Sequence, residues 1–71
     1  MYQIRQQDLK RIMTEKQMTI PEVSRASGLS EAGARKAARA EEGQHFRPKT
    51  VYALARALGV KASAFAVPIE G

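Results

Sequence analysis

The 71-residue sequence contains no cysteine and a single histidine, His45. Without thiols there is no disulfide framework, no thiolate metal site and no cysteine nucleophile, and one imidazole cannot hold a zinc ion by itself. A reducing, cytosolic compartment is the simplest expectation. Long apolar runs are also absent, and the N-terminal Met1-Tyr2-Gln3-Ile4-Arg5 has no apolar segment of the signal-peptide type. Neither a membrane span nor a secretion signal is therefore expected. Large apolar side chains are scarce: hydrophobic residues make up 44% of the chain, but 12 of them are alanine. The core must be small, and close helix packing has to compensate. This length suits one domain, residues 1–71 with a core over about 5–65, and leaves no room for a deep catalytic cleft. Ser24, Ser27 and Ser30 have no neighbouring histidine or lysine to act as a base, and no acid/base pair or metal cluster can be assembled. An enzyme is not expected, and nothing calls for a cofactor. What is abundant is positive charge, with 12 Lys and Arg against 7 Asp and Glu, a net charge of +5. Such a field favours a polyanionic partner.

Punctuation divides the chain into short helical segments. Ile4, Leu9, Ile12 and Met13 follow helical spacing, with Arg5, Lys10, Arg11, Glu15 and Lys16 on the polar side, which predicts a first helix over about residues 5–16. Thr19-Ile20-Pro21-Glu22 carries an N-capping threonine, a proline in the first turn and a glutamate three residues after the cap, the pattern of a capping box. A second helix starts there, with Val23, Ala26 and Ser27 as its inward face, and ends at Gly28. Ser30 then caps a third helix that helix-forming residues, Gly33 excepted, extend to Glu42. Residues 43–48 read as a loop pinned to the core by Phe46. Val51, Leu54, Ala55 and Leu58 form the stripe of a fourth helix over Thr50 to Leu58, closed by Gly59. Val60 to Phe65 is a candidate short fifth helix with Val60 and Phe65 inward, and 66–71 is an apolar tail containing Pro68, disordered or dimerising.

Two short helices cross steeply over a three-residue turn only if the turn accepts a positive φ and the crossing point is lined by small residues. Gly28 meets the first demand, and Ser24, Ala34 and Ala37 meet the second. Val23 and Leu29 are the larger anchors. The run of Ser24, Gly28, Leu29, Ser30 and Ala34 resembles the helix-turn-helix of the phage-repressor and Cro-like (XRE) family. Thr50-Val51, Leu54-Ala55 and Ala57-Leu58-Gly59-Val60 are similar to the fourth-helix signature of the same family. The two stretches, with the first helix, cover about Leu9 to Phe65. The resemblance implies an all-α, compact domain of four to five helices that docks its third helix in the major groove of duplex DNA, usually as a two-fold dimer.

Where the family usually has a phosphate-binding glutamine at the start of the second helix, this chain has Ile20. At the base-reading positions stand Glu31, Ala32 and Gly33, of which Glu31 alone has the chemistry to read a base, by accepting from cytosine N4. The family's usual ending of the third helix is replaced by Glu41-Glu42-Gly43. The basic residues complete the expected footprint. Arg35 and Lys36 lie one turn into the third helix and Arg39 is four residues beyond Arg35, so Arg35 and Arg39 share a face suited to guanine edges or phosphates. Arg47 and Lys49 flank the start of the fourth helix, where free amides favour a phosphate. The expected DNA contacts are thus Ser30, Glu31, Ala32, Arg35, Lys36, Arg39, Arg47 and Lys49. Structural roles for the same residues are capping for Ser30, a helix-dipole contact for Glu31 and solvation of an alanine-rich helix for the cations. His45 reads as a surface loop residue, Tyr52 as a packing residue, and Val67 and Ile69 as seeking a partner surface, most simply a homodimer. The leading reading is a cytoplasmic transcriptional regulator, repressor-like, that occupies a promoter and is controlled by its concentration, its dimerisation or a protein antagonist. The alternative is the same fold used as a protein-interaction module, an adaptor or anti-activator bound to another regulator.

Overall fold

The computed structural model describes residues 1–69. In chain order the elements are β1 (Tyr2–Ile4), α1 (Gln6–Glu15), α2 (Ile20–Ser27), α3 (Glu31–Ala38), α4 (Pro48–Leu58), a 3-10 turn at Ala62–Ala64 and β2 (Ala66–Pro68). The four α-helices are those expected from the capping and spacing signals. At α2 both halves of the capping box form, with Thr19 accepting from the Glu22 amide and the Glu22 carboxylate accepting from the Thr19 amide. Ser30 caps α3 by accepting from the Gly33 amide at 3.0 Å. Gly28 closes α2 in the left-handed region, at φ 80°.

The helices enclose one apolar cluster. Phe65, Leu9, Leu54, Val23 and Val51 are its fully buried large side chains, each worth about 1.5–3 kcal/mol of transfer free energy. Alanines fill the crossings: Ala34 and Ala37 of α3 are buried, which lets α3 lie close to α2. Exposed ion pairs on the outer side of α1 link Arg5 to Asp8, and Arg11 to both Asp8 and Glu15. In water such pairs add little stability, about 0–1 kcal/mol each.

Several boundaries differ from the sequence expectation. The third helix stops at Ala38 instead of continuing to Glu42. Its good helix formers are overridden by tertiary demand: the chain has to turn so that Ala40 and Phe46 enter the core. A turn closed by the Gln44 side chain on the Glu41 amide, with Gly43 at φ 87°, achieves this. The expected fifth helix is only a 3-10 turn, although Phe65 is fully buried as predicted and Val60 packs against the core. Ala26 is exposed, not part of the inward face of α2, and Tyr52 is 54% exposed, with its ring set edge-on against Tyr2 and the two hydroxyls 2.7 Å apart.

The apolar tail is not a free segment as far as residue 69; Glu70 and Gly71 lie outside the described residues. β2 pairs antiparallel with β1 in the register Tyr2 with Pro68, Gln3 with Val67 and Ile4 with Ala66. On its other side β1 exchanges two backbone hydrogen bonds with Phe46, Tyr2 N–H to Phe46 C=O at 2.8 Å and the reverse at 2.7 Å. Because the Tyr2 backbone groups point to Phe46, Tyr2 and Pro68 form a non-hydrogen-bonded pair, and the Pro68 ring sits where an amide would otherwise face the open side of the ribbon. The core consequently extends beyond its expected limits, to Ile4 and Ala66.

Candidate nucleic-acid interface

The α2–α3 turn is fixed by its own polar groups. The Ser24 hydroxyl donates to the Leu29 carbonyl at 2.6 Å, the Leu29 amide donates to the Ser27 hydroxyl at 3.2 Å, and the Gly28 amide closes on the Ser24 carbonyl at 2.9 Å. These bonds orient α3 relative to α2 without a bulky side chain in the crossing. Val23 is buried and Leu29 packs on the core, the anchoring roles expected of them.

With α3 held by Ala34, Ala37 and Ala38, its remaining face is turned to solvent. At about 100° per residue, Glu31, Ala32, Arg35, Lys36 and the capping residue Arg39 fall within an arc of roughly 140°. All five are exposed, as is Ser30. The structure therefore brings Arg35, Lys36 and Arg39 onto one outward surface, preceded by Ser30, Glu31 and Ala32. None of the three cations is ion-paired among the described residues. Glu41 and Glu42 share a shallow depression with Lys36 and Arg39, so negative charge gathers at the C-terminal end of this surface.

Arg47 and Lys49 belong to a different element. Arg47 is the N-cap residue of α4, no side chain caps that helix, and Pro48 follows at its first position. Proline has no amide to leave orphaned, while Lys49 and Thr50 lie within the first turn, where amides lack intrahelical partners. Both Arg47 and Lys49 are exposed. An anion at this point would meet amides, the positive end of the helix dipole and two cationic side chains together.

The start of α2 is the opposite case. The Glu22 amide is used in the capping box, and the Glu22 carboxylate sets a negative charge beside the first turn. The Thr19 amide and then the Thr19 hydroxyl, both donating to that carboxylate, hold its pKa below the ordinary glutamate value, so it remains an anion. The substitution of Ile20 for a polar side chain and the presence of Glu22 act in the same direction.

One feature of the surface was not evident from residue spacing. Between α1, the turn before α2 and α3 runs an open groove of about 420 Å³ lined by Lys10, Met13, Thr14, Met18, Ile20, Arg35, Ala38 and Arg39. Sequence periodicity placed Lys10 on the polar side of the first helix, but its position beside Arg35 and Arg39 depends on how α1 crosses α3. His45 is an exposed loop residue, as expected, and among the described residues there is no cluster of three or more His, Cys, Asp or Glu able to hold a metal ion. No helix among them is long and apolar enough to cross a membrane.

A family model for the Cro/C1-type helix-turn-helix DNA-binding domain matches residues 8–63. No curated protein and no solved structure is similar enough to the chain to match it.

Proposed function

Because this chain belongs to the Cro/C1-type helix-turn-helix DNA-binding family, we propose that it is a small transcriptional regulator whose residues 1–71 act as one domain, placing α3 in the major groove of an operator. The observation that carries this reading is the outward arc of α3, with three cations that are unpaired among the described residues and face away from the buried alanines. Arg35 and Arg39 read guanine edges or hold phosphates, Lys36 contacts the backbone, and Ser30, Glu31 and Ala32 form the leading turn that enters the groove. Arg47, Lys49 and the uncapped amides of α4 take a second phosphate.

A homodimer is part of this reading. The face of the β-ribbon turned away from Ile4 and Ala66 carries Met1 and Val67, which are 51% and 41% exposed. Gln3 shares this face opposite Val67, and exposed apolar side chains on so small a domain suit a second copy. Two-fold pairing would set the two copies of α3 at half-sites about 34 Å apart, one helical turn of DNA. Val67→Glu should then shift sedimentation from dimer to monomer and leave the fold intact.

The direct test is selection of duplexes from a random library at physiological salt, with an Arg35→Ala/Arg39→Ala control. A palindromic consensus recovered by the wild type alone supports the reading. Arg35→Ala by itself is expected to weaken operator binding by about 1–3 kcal/mol and relax one base position. If no consensus emerges, the second reading gains: a domain of this fold that binds another regulator. It is favoured by the Glu22 carboxylate at the start of α2 and by the poor base-reading chemistry of Glu31, Ala32 and Gly33.

A further inference from the structure

The groove between α1 and α3 combines two surfaces that DNA alone does not explain. Its floor is apolar: Met13, Met18 and Ile20 are half-buried and open into it, and Ala38 closes its base. Its rim is cationic, with Lys10 on one side and Arg35 and Arg39 on the other, and among the described residues no acidic side chain contributes to the lining. The two acids of α1, Asp8 and Glu15, are tied to Arg5 and Arg11, and at about 100° per residue they fall on the far side of that helix from Lys10, Met13 and Thr14.

A phosphodiester backbone satisfies such a rim but leaves the apolar floor uncovered. A second copy of the chain fits no better, because two-fold symmetry would set this surface against itself and bring like charges together. A ligand with one anionic group and an apolar body satisfies both parts. The volume lies within the range of about 300–1,000 Å³ typical of small-molecule sites, and the two methionines are unbranched, adaptable side chains suited to bodies of varied shape.

We propose that this groove binds a free organic anion with an apolar body, its carboxylate or phosphate head between Lys10, Arg35 and Arg39 and its body on Met13, Met18 and Ile20. Occupancy ties up Arg35 and Arg39 of the α3 surface and lowers its positive charge, so the ligand competes with DNA. The competition rests on the DNA-contact role proposed above for Arg35 and Arg39, whereas the binding site itself does not. The regulator would thus carry an effector site within its DNA-binding domain.

The test uses the whole chain, with methionine and isoleucine methyl groups observed by NMR during titration with sodium octanoate, octyl phosphate and, as a cationic control, octyltrimethylammonium. The expected result is saturable shifts of Met13, Met18 and Ile20 with the two anions and not with the cation. Lys10→Glu, a change at an exposed position, should weaken binding about tenfold or more while the spectrum stays folded. Ile20→Ser, which removes apolar surface from the floor, should weaken it too. Absent or unsaturable shifts, equal shifts with the cationic control, or unchanged affinity in Lys10→Glu would overturn the site. Duplex binding is measured in parallel. Saturable, Lys10-dependent shifts in a protein that binds no duplex uphold the site and refute the DNA role of α3. Saturable shifts in a protein whose duplex binding is untouched by octanoate overturn the competition.

Discussion

Replacing Gly28 by alanine isolates the conformational requirement of the α2–α3 turn. The residue sits at φ 80°, ψ 1°, and a Cβ built there meets no atom within 4 Å. Steric conflict with the rest of the protein therefore contributes nothing, and the whole cost is that of holding an L-residue in the left-handed region, about 1–2 kcal/mol. The turn cannot relax to escape it, because the Ser24 to Leu29 and Leu29 to Ser27 hydrogen bonds on either side fix the backbone. For a domain of this size about 1 kcal/mol lowers Tm by roughly 4–8 °C. Thermal unfolding followed by circular dichroism should show a drop of about 5–15 °C for Gly28→Ala, and a smaller one for Gly28→Asn, since asparagine tolerates this region better. Gly59, which ends α4 at φ 69° and is equally open, provides a matched comparison, and Gly59→Ala should lose a similar amount. Wild-type stability in Gly28→Ala, or an asparagine variant as unstable as the alanine one, would refute the argument. A loss far above that of Gly59→Ala would mean that the turn is constrained by something other than its dihedral angle.

Three further outcomes follow from the structure. Glu22 has its pKa lowered by the Thr19 amide and hydroxyl, so its stabilising contribution is present above the unfolded-state value and is lost as pH falls through the folded one; Tm measured from neutral to acid pH should fall less steeply in Glu22→Gln than in the wild type, with the remaining decline carried partly by Asp8, lowered by Arg5 and then Arg11. Leu54→Ala empties a position that is 1% exposed and should cost about 2–5 kcal/mol, a large share of a small domain's stability, read as the loss in urea-unfolding free energy. Gly33→Ala adds a methyl 3.2 Å from the Ser30 hydroxyl in a helical stretch of ordinary φ, and the gain in helix propensity of about 0.5–1 kcal/mol should outweigh a small shift of that side chain; a lowered Tm would show that the Ser30 cap had been displaced.

The helices were legible because their ends are written in local chemistry. Thr19 and Glu22, Ser30, Pro48, Gly28 and Gly59 each act within a few residues of where they stand, and the alanines of α3 marked its inward face, which placed Arg35, Lys36 and Arg39 on the outside. Misread positions depend on distant partners. Helix propensity carried α3 past Ala38, but the burial of Ala40 and Phe46 ends it. The ribbon joins strands of three residues from the two ends of the described chain, too short for an alternating pattern to register. Tyr52 was read as a packing residue, and its actual neighbour, Tyr2, is positioned by that ribbon. Lys10 joins Arg35 and Arg39 through a helix crossing that no spacing rule specifies.

The proline in β2 bears on how the protein behaves when crowded. A two-stranded ribbon with an open side is a template on which another extended chain can add, the route to strand exchange and fibril nucleation. Along that side Pro68 withholds a donor, and Ala66 is the one strand position left with both a donor and an acceptor facing outward. A docking strand would find too few bonds in register to stay. The dimer proposed above would accordingly use the ribbon's face, where contact between side chains can stop at two copies instead of propagating.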